Sequence, residues 1–263
     1  MTRVRVPSGG ITLSAKVDGA EGKPWLILTN SLAADLTMWD DQIGLLTQTH
    51  RVIRFDTRGH GDSDAPAGAY DFPMLVADMV AVLDHFGAGP TDVMGLSLGG
   101  MTALGLGLTH PGRVRRLVVC DARADAPAAF ISSWDDRIAA ITANGMQAIV
   151  TGTLSRWFTP SCPQRVRDRA AAMILATPPA GYIGCAHALK ALDYLKDLPR
   201  LQAPVLYICG ADDMGAPKEA MSAMAAATPR ARLTVLPGLA HVPNMENPAV
   251  FGAALSDWLG ATP

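Results

Sequence analysis

Three short stretches carry residue types that can move an acyl group. Gly95-Leu96-Ser97-Leu98-Gly99 sets a hydroxyl between two glycines, Gly210-Ala211-Asp212-Asp213 offers a pair of carboxylates, and Gly238-Leu239-Ala240-His241 ends on an imidazole. A serine hydroxyl is a weak nucleophile near neutral pH unless a base takes its proton. Histidine suits that task because its ordinary pKa is close to neutrality, and a carboxylate on its second ring nitrogen fixes the tautomer and stabilises the imidazolium. The competing reading of Ser97 is an ordinary helix cap.

Which reading holds depends on the elements that position these residues. The pattern G-x-S-x-G needs a strand that ends, a turn too tight for side chains at its glycines, and a helix whose first amides point back at the serine. Residues 3–6 and 11–17 alternate in polarity across Pro7-Ser8-Gly9-Gly10 and read as a hairpin. Residues 25–29 form a continuous apolar run, expected of a strand covered on both faces. A helix is predicted over 38–46, a strand over 51–55, a polar turn over 56–63 that includes His60 in a structural role, and a helix over 73–86. The strand into Ser97 follows, then a helix over 101–110 and a strand over 116–120. Residues 204–209 and 232–236 read as the last strands and 248–259 as the closing helix, with residues 237–243 an exposed loop.

Strands alternating with helices at this spacing imply crossover connections and a mostly parallel, doubly wound α/β sheet. From about 121 to 198 the rhythm breaks: Val/Ile-rich runs give way to Ala, Met, Arg and Leu, with Pro160, Pro163, Pro178 and Pro179 as breaks. A helical cap inserted between strands is expected there. The domain reading is a sheet core over 1–121, the cap over 122–198 and the rest of the core over 199–263. Serine, acid and histidine then each follow a strand's carboxyl end, where open sheets form their ligand crevice. An acyl transfer also needs donors for the developing oxyanion. The backbone N–H of Leu98, directly after the serine, and that of Leu32, in the loop after the third strand, are best placed.

Composition narrows the function classes. The chain has 263 residues, 49% apolar and 17% charged, with a formal net charge of -2. That is ample for one large core, and no basic run interleaves with aromatics as nucleic-acid binding would require. The amino-terminal residues lack a signal-peptide core and no stretch approaches the ~20 apolar residues of a membrane span, so a soluble cytoplasmic protein is expected. Cys120, Cys162, Cys185 and Cys209 lack C-x-x-C spacing and read as buried free thiols. The histidines do not pair at ligand spacing, so no metal is expected, and the chemistry needs no cofactor. Nothing in the residues speaks to oligomeric state.

The chain resembles the α/β-hydrolases through the elbow GLSLGG at 95–100, the turn DTRGHGDS at 56–63, the acid loop GADDMGAP at 210–217 and the histidine loop GLAHVPNMENP at 238–248. The resemblance implies the serine-hydrolase triad Ser97, Asp213 and His241, with Asp213 preferred to Asp212 because Gly210 and Pro217 bracket the family's acid in the same way. More narrowly, the chain is similar to the 3-oxoadipate enol-lactonases of aromatic catabolism. The carriers are Asn30-Ser31-Leu32, where many relatives have His-Gly, together with Arg156-Trp157-Phe158-Thr159-Pro160 and Gly181-Tyr182-Ile183-Gly184-Cys185. Residues 120–125, Cys-Asp-Ala-Arg-Ala-Asp, depart from the smaller, less charged residues of those lactonases. The resemblance implies a small lactone or ester bearing a carboxylate as substrate. Arg137 or Arg156 would hold that carboxylate, and Trp134, Trp157 and Tyr182 would supply apolar wall. A general carboxylesterase, a cofactor-free perhydrolase and a non-catalytic small-molecule receptor are the alternatives on this fold.

Overall fold

The computed structural model describes residues 3–260. Its framework is one eight-stranded sheet built from β1 (Val4–Ser8), β2 (Ile11–Asp18), β3 (Trp25–Thr29), β4 (Arg51–Phe55), β5 (Thr91–Leu96), β6 (Val114–Cys120), β7 (Val205–Gly210) and β8 (Ala231–Leu236). The spatial order is β1-β2-β4-β3-β5-β6-β7-β8. β1 and β2 form the expected hairpin, β2 joins β4 antiparallel, and every later pairing is parallel. β5 and β7 are buried along their whole length; β7 is apolar throughout, whereas β5 opens with Thr91 and Asp92, the latter ion-paired with Arg115 and Arg116.

Crossover helices cover the sheet: α1 (Asp40–Leu46), α2 (Phe72–His85) and α3 (Leu98–Thr109). α3 starts directly after Ser97 and not at 101. Two glycines in its first turn argue against helix by propensity, but Leu98 to Gly107 are all buried, and tertiary packing outweighs the ~1 kcal/mol that each glycine costs. A 3-10 turn over Leu36–Trp39, capped by the Asp35 side chain, precedes α1.

Between β6 and β7 lie α4 (Ala128–Asn144), α5 (Val150–Trp157), α6 (Gln164–Ala176) and α7 (Pro179–Lys190). Pro127, Pro163 and Pro178 stand immediately before α4, α6 and α7, where a missing N–H costs nothing. The chain enters and leaves this insertion at one point: Asp125 and Asp193 form an isolated antiparallel bridge, and the Tyr194 N–H donates to Ala124 O at 2.7 Å. After β7 come α8 (Lys218–Ala227), α9 (Pro243–Glu246) and α10 (Pro248–Leu259). The expected exposed loop over 237–243 is exposed only at Pro237 and Gly238; Leu239, Ala240, Val242 and Pro243 are buried, and α9, which begins at Pro243, is buried at all four residues. All four cysteines are buried and unpaired. Among the described residues no helix is long and apolar enough to cross a membrane.

Candidate active site

Ser97 occupies the turn between β5 and α3 with φ 55° and ψ −118°, a left-handed backbone that an L-residue adopts only under constraint from its surroundings. The constraint is visible at its flanking glycines. A Cβ on Gly95 would lie 2.3 Å from the Gly99 carbonyl oxygen, and one on Gly99 would lie 2.4 Å from that of Thr29. The Ser97 side chain makes no cap bond to α3, so the helix-cap reading fails. Its Oγ lies 2.9 Å from His241 Nε2.

His241 Nδ1 is 2.7 Å from Asp213 Oδ2. A carboxylate there accepts a hydrogen bond from Nδ1–H, which fixes the tautomer and leaves the Nε2 lone pair facing the serine hydroxyl. Asp213 is buried while Asp212 is exposed, so the geometry selects between the two acids. Burial opposes the Asp213 charge, but His241 and the Gly215 and Ala216 amides more than offset it and hold the carboxyl below its ordinary range. The acid and histidine loops are tied to each other by Asp212 N–H to Leu239 O at 2.9 Å.

Glu246, in α9, escaped the sequence reading. Its Oε2 accepts the Ala240 N–H at 3.1 Å, and its Oε1 accepts the Thr159 N–H at 2.9 Å and the Thr159 hydroxyl at 2.5 Å. One carboxylate thus joins the histidine loop to the insertion. A four-residue helical turn has no periodicity by which sequence could mark its buried face.

In the loop after β3, Ser31 N–H meets Met38 Sδ, Ala33 N–H donates to His60 Nε2 at 3.0 Å and Ala34 N–H donates to Ser31 O. Among the described residues, the Leu32 N–H has no partner while the other three do. Around the serine, Ser97 N–H donates to Cys120 O at 2.8 Å, whereas the N–H of Leu98, the first residue of α3, has no acceptor among the described residues. Since buried amides are nearly always paired, two free ones flanking a serine are available to a ligand. Asn30 holds this loop, donating to Phe55 O and accepting from Trp39 Nε1.

A cavity of about 350 Å³ opens over Ser97 and His241. Leu32 and all five expected insertion residues, Trp134, Arg137, Arg156, Trp157 and Tyr182, line it. Leu98 is not in the wall; it lies buried behind the serine. Asp121, Arg123, Phe130 and Met214 also line the cavity, and the sequence reading did not place them there.

A family model described as the alpha/beta hydrolase fold matches residues 24–248, from just before β3 to the first residue of α10. The chain belongs to that family. This α/β-hydrolase is 30% identical over 248 residues to 3-oxoadipate enol-lactonase 2 of Acinetobacter baylyi, covering 93% of this chain and 92% of the relative. The solved structure of a hydrolase from Pseudomonas aeruginosa PA01 is 37% identical, with a TM-score of 0.94 over 98% of each chain. The crystal structure of the enol-lactonase from Burkholderia xenovorans LB400 is 31% identical, with a TM-score of 0.93 over 98% of this chain and 100% of that one.

The cavity of this hydrolase has a distinct electrostatic character. Arg123 is paired with Asp125 at 3.0 Å, but among the described residues Arg137 and Arg156 have no acidic partner. The Arg137 guanidinium stacks 4.1 Å from the Trp134 ring centroid. Burial, followed by the charge of Arg137, lowers the pKa of Arg156. Among the described residues the buried Trp134 Nε1–H also has no acceptor. Two guanidiniums without acidic partners and a buried indole donor beside a hydroxyl favour an anionic ligand.

Proposed function

We propose that the protein is a cytoplasmic serine hydrolase that cleaves a small, carboxylate-bearing lactone or ester through an acyl-enzyme, in the manner of a 3-oxoadipate enol-lactonase. The observation that carries the reading is the continuous chain from Ser97 Oγ through His241 to Asp213, opening on a cavity where Arg137 and Arg156 have no acidic partner among the described residues. Ser97 Oγ attacks the acyl carbon as its proton passes to His241 Nε2, and Asp213 stabilises the imidazolium. The Leu32 and Leu98 amides bind the oxyanion; losing one such donor typically costs ~2.7–4 kcal/mol of transition-state stabilisation. As the tetrahedral intermediate collapses, the C–O bond of the ring or ester breaks and His241 returns its proton to the departing oxygen. Water, deprotonated by His241, then attacks the acyl-enzyme, releases the acid and restores Ser97. Arg137, Arg156 and the Trp134 indole N–H hold the substrate carboxylate, while Trp157 and Tyr182 pack against its carbon frame.

The test compares wild type and Ser97→Ala on short p-nitrophenyl esters and on 3-oxoadipate enol-lactone, followed by ultraviolet absorbance. Ser97-dependent turnover, fastest on the lactone, is expected. Lactone hydrolysis no faster than that of simple esters favours a general esterase or perhydrolase. No Ser97-dependent turnover at all leaves a small-molecule receptor.

A further inference from the structure

Asp121 is the first residue after β6, and the reaction proposed above makes no use of it. It is 0% exposed, its φ is 44°, and its own N–H donates to Ile208 O on the neighbouring strand. Its Oδ1 accepts the N–H of Gly210, the last residue of β7, at 2.7 Å. Its Oδ2 is equally buried and, among the described residues, receives no hydrogen bond from a donor. The charged side chain beside the Asp121 carboxyl is the Asp213 carboxylate. The oxygens of Asp213 are engaged by the Gly215 N–H and by His241 Nδ1. The other titratable groups that sense Asp121 are the Cys120 and Cys209 thiols, both pushed up chiefly by burial.

Two carboxylates facing each other in a protein interior do not both stay ionised, and two acceptors cannot bond without a proton between them. Asp213 is held charged by His241 and by backbone amides, so the proton falls to Asp121. Burial first, and the Asp213 charge second, raise the Asp121 carboxyl well above its ordinary range. We propose that Asp121 is a positioning residue: a neutral carboxylic acid whose Oδ2–H donates to Asp213 while Gly210 holds Oδ1, fixing the orientation of Asp213 toward His241. Neutrality matters to the base. A second negative charge beside Asp213 would favour the imidazolium and leave His241 unable to accept the serine proton. The inference rests on Ser97, His241 and Asp213 acting as proposed.

The test pairs Asp121→Asn, which supplies a permanent N–H donor in the same shape, with Asp121→Ala, which removes the donor. Three measurements are made: the infrared carbonyl stretch of a protonated carboxylic acid at neutral pH, the pH titration of the low-field His241 Nδ1 proton by NMR, and kcat and KM on a p-nitrophenyl ester. Wild type should show the infrared band and Asp121→Asn should lose it while keeping kcat and the His241 titration near wild type. Asp121→Ala should lower kcat roughly ten- to a hundredfold with little change in KM, and raise the His241 titration. The proposal is overturned if wild type lacks the band, or if Asp121→Asn moves the His241 titration down by about one pH unit, the mark of a lost negative charge. It is also overturned if Asp121→Ala matches Asp121→Asn. Should Asp121→Ala not fold, the band and the Asp121→Asn titration still decide. Failure of the parent reading is distinguishable, because Ser97-dependent turnover would be missing whatever the spectra show.

Discussion

Ser97, His241 and Asp213 form one hydrogen-bonded relay, so their contributions are expected to be strongly non-additive. Ser97→Ala and His241→Ala should each lower kcat on a p-nitrophenyl ester by about a thousandfold or more, and the double variant should be no worse than either. Steady-state kinetics of the three proteins check this. Arg137→Met and Arg156→Met should leave neutral esters nearly unaffected and raise KM for carboxylate-bearing ones by roughly ten- to a hundredfold, the worth of a charged hydrogen bond. Equal effects on both substrate types would remove these arginines from carboxylate binding. Ser97 and His241 were legible in sequence because glycines punctuate their turns. Asp121 and Glu246 were not, because a buried acid and a surface acid are the same letter until the fold decides what surrounds them.

The turn between β5 and α3 works only as a backbone-on-backbone contact. Gly99→Ala forces a methyl against the Thr29 carbonyl and should destabilise the protein by about 3 kcal/mol or more, read by urea unfolding. Glu246→Ala strands the Ala240 and Thr159 donors and should cost about 3 kcal/mol. Glu246→Gln, which keeps an acceptor, should lose less in the same measurement. Strands β3 to β7 were readable because each holds a short apolar run demanded by burial in the sheet, while the charges among them, Arg54, Asp92 and Arg116, are buried in ion pairs that sequence does not show. The start of α3 and the whole of α9 were hidden, since glycine-rich packing overrides propensity in the first and one helical turn leaves no period in the second.

Across the whole molecule, stability should depend on a histidine remote from proton transfer. His60 is fully buried, accepting from Ala33 N–H through Nε2 and lying 3.1 Å from Arg58 O through Nδ1. Burial lowers its pKa to about 4 from an ordinary value near 6.5. The unfolded chain therefore binds a proton that the folded protein refuses, and the contribution of about 3 kcal/mol, complete above pH 6.5, is lost as pH falls toward 4. Urea unfolding from pH 7 to pH 4 should show this slope in wild type and a shallower one in His60→Asn. The fold class was legible because strand and helix alternate, whereas the contents of the cavity wall depended on how α4, α5 and α7 fold over the sheet. The bridge between Asp125 and Asp193 and the bond from Tyr194 N–H to Ala124 O close the base of that insertion. Its two ends are fastened side by side, so nearly seventy residues hang from a single hinge-like clasp and their ends add no span to the sheet. The unit is built to be exchanged: a chimera cut at 125 and 193 that receives a relative's corresponding segment should keep the reaction of Ser97 while adopting the donor's substrate preference, as parallel substrate panels on the two parents and the hybrid would record.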